Sequence, residues 1–139
     1  MSEGETLFGQ EHVRRYEETD GVVGHIWKRG AKTLLLTTRG RKTGNETTSP
    51  LIYEDAGDAY VIVASKGGAP KHPGWYRNLV KDPNVRVQVK DDVFVARART
   101  ASGDERERLW QLAAQQWPDY DTYQTRTDRE IPVVVLERA

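Results

Sequence analysis

From residue 84 onward the chain reads N-V-R-V-Q-V-K-D-D-V-F-V-A-R-A-R-T, a period of two interrupted by one turn. Val85, Val87 and Val89 alternate with polar residues, the pattern of a half-buried strand. Asp91-Asp92 turns the chain into a second run over residues 93–100, where Val93, Val95 and Arg97 share a face. Further β-rich runs lie at 32–38 around Leu34, Leu35 and Leu36, at 50–54, at 59–64 and at 132–136. The tetrapeptide Asp55-Ala56-Gly57-Asp58 joins two of them with hairpin chemistry.

Helical signals are fewer. Residues 7–20 form a short candidate helix ended by Gly21. Pro73 opens a second over 73–80, and Asp82-Pro83 closes it. The third spans 103–116, with Ser102 and Glu105 in capping-box positions and Leu109, Leu112 and Ala113 at helical spacing. About six short strands, two or three helices and no regular βαβ alternation predict an α+β fold: a small antiparallel barrel with helices packed outside it.

The chain has 139 residues, enough for one domain and one core, with 30% charged and 37% hydrophobic residues. A mean hydropathy of -0.75 places it among soluble globular chains. No stretch approaches the roughly 20 apolar residues of a transmembrane helix. Residues 1–6 are acidic and lack the basic and apolar regions of a signal peptide. The absence of cysteine excludes disulfides, thiolate metal sites and cysteine nucleophiles, and the cytoplasm is the expected compartment. Net charge is zero, yet residues 28–90 carry twelve Lys and Arg against five Asp and Glu. A basic middle in a neutral chain suggests a local anionic ligand more than nucleic acid, which usually selects a basic domain, and an ordinary mixed surface fits the same charges.

Four segments carry candidate chemistry. Arg39-Gly40-Arg41-Lys42-Thr43-Gly44 follows a strand, and its two glycines, two cations and one hydroxyl suit a phosphate, although the Walker spacing is missing. A ligand-free basic hairpin turn fits the same residues. Ala64-Ser65-Lys66-Gly67-Gly68, again at a strand end, is a second anion cradle or a plain flexible loop. His72-Pro73-Gly74-Trp75-Tyr76-Arg77-Asn78 offers flat rings beside a glycine, and packing is the alternative use of such rings. His12 and His25 lie far from His72, so no metal site is expected. Trp117, Tyr120 and Tyr123 recur every third residue on one side of a helical turn, as core or as a pocket wall among charged neighbours.

Taken in order, these strings resemble the deazaflavin-dependent nitroreductase family of actinobacteria. The resemblance runs from about residue 31 to 137. It rests on L-L-T-T-R-G-R-K-T-G at 35–44, P-L-I-Y at 50–53, V-A-S-K-G-G-A at 63–69, H-P-G-W-Y-R-N-L at 72–79 and P-N-V-R-V-Q-V at 83–89. Y-D-T-Y at 120–123, T-D-R at 127–129 and I-P-V-V at 131–134 continue it. The resemblance implies a mainly antiparallel split β-barrel over 31–139, preceded by an N-terminal helical segment over 1–30, in one domain overall. It implies coenzyme F420, a deazaflavin, as cofactor, held by Arg41, Lys42, Thr43, Gly44, Ala64, Ser65 and Lys66, with Trp75, Tyr76, Arg77 and Asn78 beside the ring. Trp117, Tyr120 and Tyr123 would face the acceptor, with Tyr123 or Tyr120 as proton donor.

The implied activity is hydride transfer from reduced F420 to a quinone, enone or nitro compound. Rival readings are an FMN-binding reductase or oxidase of the same fold and a non-catalytic F420 carrier. Departures from the family pattern are Trp117 and Ile52 where tyrosines are usual, Thr47 where an arginine is usual, and a shorter N-terminal extension. Reduction of nitroimidazole prodrugs therefore does not follow. A homodimer, and a peripheral position at the inner face of the membrane, are compatible with the sequence.

Overall fold

The structure, a computed structural model, describes residues 9–139. The acidic stretch 1–6 and the first two residues of the expected 7–20 helix lie outside the described residues. Six strands, β1 (Thr33–Arg39), β2 (Glu46–Asp55), β3 (Ala59–Val63), β4 (Asn84–Val89), β5 (Asp92–Thr100) and β6 (Val133–Arg138), close into a barrel of order β1-β2-β3-β6-β5-β4. Every neighbouring pair is antiparallel. Closure removes the exposed edges that an open sheet would present.

The alternation seen in the sequence sorts side chains across the barrel wall. Leu34 and Leu36, Val85, Val87 and Val89, Phe94, Ala96 and Ala98, and Val134 and Leu136 fill the interior. Val93 and Val95 do share a face with Arg97, and it is the outer one, where the two valines are 55% and 56% exposed. On β3 and β6 the outward residues Val61, Val63, Val133 and Val135 are buried as well, under a second apolar cluster. That cluster is supplied by α3 (Gly103–Gln116), through Leu109, Trp110 and Ala113, and by α4 (Asp119–Thr125), through Tyr120. Strands covered on both faces read as continuous apolar runs, as I-P-V-V-V-L does here.

α1 (Gly9–Thr19) covers Leu35 on the outside of β1 with Val13 and Tyr16. The fully buried Tyr16 hydroxyl donates to the Thr33 carbonyl at 3.0 Å and accepts the Lys90 N–H at 2.8 Å. Gly21 lets the chain pass this point: its φ is +81°, and a Cβ there would lie 2.7 Å from the Lys90 Cα.

Three expectations change. β2 starts at Glu46 rather than residue 50, because Thr48 and Thr47 extend the ladder by facing Thr37 and Thr38, with hydroxyl oxygens 2.8 Å and 3.5 Å apart. Four α-helices are present among the described residues rather than two or three, since residues 119–125 form a helix of their own. The capping box does not form: Ser102 stands at the N-cap without a side-chain bond, and Glu105 instead makes a bidentate pair with Arg99 at 2.7 and 2.9 Å.

Candidate functional site

The middle of β2, the end of β3 with the turn after it, the start of α2 (Gly74–Lys81) and α4 surround an open cavity of about 300 Å³ on the barrel's flank. Its floor is apolar, from Leu51, Ile52 and Val63; its walls are aromatic, from Trp27, Trp75, Trp117, Tyr120 and Tyr123. Ser65, Lys66 and Gly67 form the polar margin. Six of the residues expected at the site, Ser65, Lys66, Trp75, Trp117, Tyr120 and Tyr123, therefore line one pocket.

The polar margin has a particular backbone. Ser65 is right-handed (φ -79°, ψ -41°), Lys66 is left-handed (φ 47°), and Gly67 and Gly68 follow with φ of 63° and 83°. A right-handed residue followed by a left-handed one turns successive N–H groups toward a common concavity, a nest for an anion. The N–H groups of Ser65, Lys66 and Gly67 have no partner among the described residues, and neither has the Lys66 ammonium. A non-glycine residue held in the left-handed region stores strain of the kind that gathers at binding sites.

The turn between β1 and β2 is built differently. Gly40 and Asn45 close it through the Gly40 N–H to the Asn45 carbonyl at 2.7 Å. Lys42, Thr43 and Gly44 are exposed, and the Thr43 hydroxyl accepts the Asn45 N–H at 3.1 Å. Arg41 is tied inward: its guanidinium donates to the Asn78 side-chain oxygen at 2.9 Å and toward the Gly74 carbonyl at 3.4 Å. The turn thus abuts the start of α2, and its residues lie outside the cavity lining.

The remaining expected residues lie behind this surface. Asn78 is buried, donating to Thr38 at 3.1 Å and accepting from Arg41, so it straps α2 to the β1 end. Tyr76 turns away from the cavity to meet Thr100, hydroxyl to hydroxyl at 2.8 Å. Ala64 is fully buried, and Arg77 is exposed outside the cavity lining.

On the opposite wall the two tyrosines differ. Trp117 donates its indole N–H to the Tyr123 hydroxyl at 3.3 Å, which leaves the Tyr123 proton free to be given elsewhere. Tyr120 is only 5% exposed, and burial, aided by the neighbouring Tyr123, pushes its phenol well above the usual range. Its hydroxyl has no hydrogen-bond partner among the described residues, and its ring lines the cavity. The Tyr120 phenol is therefore a protonated donor at neutral pH.

Sequence reasoning missed Trp27 and Arg129. Trp27 stacks on Trp117 with centroids 5.7 Å apart, and Arg29 covers the Trp117 ring at 3.8 Å while pairing with Asp119 at 2.9 Å. Nothing local to W-K-R-G announces this, since its partners lie some ninety residues away. The Arg129 guanidinium takes all its hydrogen-bond partners among the described residues from residues 64–72. No group of three or more His, Asp or Glu able to hold a metal occurs among the described residues.

A closed antiparallel barrel with an anion-nest backbone beside an aromatic slot defines a class: small barrels suited to a planar, anion-bearing ligand. Within that class, residues 8–138 match the F420H(2)-dependent quinone reductase family, and the chain belongs to it. It is 43% identical over 130 residues to an F420H(2)-dependent quinone reductase of Mycobacterium tuberculosis, covering 91% of this chain and 87% of that protein. A solved F420-H2 dependent reductase superposes with a TM-score of 0.71 at 46% identity, covering 76% of this chain and 93% of that one. A second solved structure, described as a domain-swapped dimer, gives 0.73 at 44% identity, covering 92% of this chain and 96% of that one.

Proposed function

We propose that the chain seats the ring of coenzyme F420 in the slot beside Trp75, with the anionic tail on the Ser65–Lys66–Gly67 nest and along the Arg41–Gly44 turn. As a member of its family the chain is an F420H(2)-dependent oxidoreductase, and a quinone is the acceptor this reading assigns. The observation that carries it is the nest: three N–H groups and an ammonium without partners among the described residues, at the margin of an aromatic pocket. The cavity of about 300 Å³ lies at the small end of ligand sites and suits a ring system, leaving a long tail to lie on the basic rim.

Reduced F420, when bound, supplies the hydride; the protein binds, orients and handles the proton. Reducing a quinone to a hydroquinone takes one hydride and one proton. Tyr123, with its oxygen already accepting from Trp117, is placed to give its hydroxyl proton to the developing oxyanion. Tyr120, kept neutral by burial, offers a second donor beside it. Water then returns the proton to the phenol.

The test is a comparison of cofactors and variants. Lys66→Ala should weaken F420 more than FMN, because only the longer tail engages both basic loops. Equal losses, or tighter binding of FMN by the unaltered chain, would favour a flavin enzyme instead. Tight F420 binding with no turnover on a quinone panel would favour a carrier.

A further inference from the structure

We propose that Arg129 is the positioning residue of the anion nest, and this inference rests on the reading that the nest holds the F420 tail. Its guanidinium donates to the Ala69 carbonyl at 2.8 Å, the Ala64 carbonyl at 3.2 Å and the Ser65 carbonyl at 2.6 Å, and it meets His72 Nδ1 at 3.0 Å. In a trans peptide the carbonyl of one residue and the N–H of the next point in opposite directions. Holding the Ala64 and Ser65 carbonyls therefore turns the Ser65 and Lys66 N–H groups away from Arg129. The Lys66 carbonyl accepts the Ala69 N–H at 3.1 Å, which turns the Gly67 N–H outward as well.

Arg129 is itself fixed. Gln124 on α4 donates to the Arg129 carbonyl at 2.8 Å and accepts the Ile131 N–H at 3.0 Å. Arg129 forms no ion pair among the described residues. Its charge, met only by carbonyl dipoles and an imidazole nitrogen, sits behind the nest and adds to the field that attracts an anion. The hydrogen bond to His72 Nδ1 requires that nitrogen to be unprotonated, since a guanidinium has no acceptor to offer.

A residue that merely stabilised the fold would affect every ligand alike; a nest-positioning residue acts on the phosphate-bearing tail. Binding of F420 is compared with binding of the same deazaflavin riboside lacking phosphate, in unaltered protein, Arg129→Met, Arg129→Lys and Lys66→Ala. Arg129→Met is expected to weaken F420 by roughly tenfold or more, the scale of lost charge-assisted hydrogen bonds, with riboside affinity changed less than about twofold. Arg129→Lys, which keeps the charge and fewer donors, should fall between, and it decides the matter should Arg129→Met not fold. KM for reduced F420 should rise while kcat stays within about threefold. If Lys66→Ala weakens F420 but the Arg129 variants do not, or they weaken both ligands equally, the positioning role is overturned. If Lys66→Ala also leaves F420 binding unchanged, the nest reading itself fails, and the inference with it.

Discussion

Tyr123 and Tyr120 sit three residues apart on one helical turn, with ring centroids 6.1 Å apart, yet their surroundings differ. Tyr123 is half-buried and held by Trp117, whereas Tyr120 is enclosed. Tyr123→Phe should lower turnover by roughly ten- to a hundredfold with F420 affinity little changed, because the lost proton matters only as charge develops. Steady-state rates at saturating cofactor read this directly, and full activity in the Tyr120→Phe, Tyr123→Phe double variant would reduce both residues to packing. On the rim, Lys42→Ala should weaken F420 by about 1.5–3 kcal/mol if its ammonium meets the tail. Arg41→Ala should lose as much and also loosen the turn, since Arg41 bonds Asn78. Unchanged binding in both would move the tail elsewhere.

Among the elements, the contact between the nest turn Lys66–Gly68 and α4 sets the pocket's width. Gly68 has φ +83°, and a Cβ there would come within 2.5 Å of the Tyr123 carbonyl oxygen and 2.9 Å of the Arg126 side chain. Gly68→Ala should therefore destabilise the protein by more than about 1 kcal/mol and displace α4 from the nest. Thermal unfolding and the KM for quinone measure the two effects together. A neutral substitution would mean that the turn and helix are not mated as described. This contact was hidden in the sequence, because residues 68 and 123 are far apart and G-G reads as flexible loop. The strands, by contrast, were legible from period-two patterning, apart from the Glu46 to Ser49 part of β2, whose polar threonines carry no apolar signal. The segment at 117–123 was legible as a turn of helix but not as an independent one. The pocket residues on strand ends and short loops were found because glycine, hydroxyl and cation cluster there. Trp27, Asn78 and Arg129 take their roles from distant partners, which local patterning does not encode.

Across the whole molecule, two histidines contribute to the acid side of stability. His25 is buried against the Tyr53 hydroxyl at 2.8 Å; burial, then Lys90 and Lys32, hold it below the usual histidine range. His72 is lowered by burial and by Arg129 and Arg77. Both are neutral in the fold, so as pH falls below about 6.5 the unfolded chain takes up protons that the folded chain refuses, and stability declines. Melting temperatures should drop on acidification, and His72→Asn, which cannot titrate, should flatten part of that slope. An unchanged slope would show that His72 is equally protonated in both states.

Deazaflavin binding in the barrel's nest and aromatic slot, for quinone reduction, is the reaction proposed for this chain. Its most direct test is titration of the apo-protein with F420 and with FMN, followed by menadione added to the reduced F420 complex. F420 should bind more tightly, with an affinity that falls as salt rises because the tail is held by charge, and the bound cofactor should be oxidised rapidly on adding the quinone. Tighter binding of FMN, or a reduced F420 complex that menadione leaves unoxidised, would contradict it.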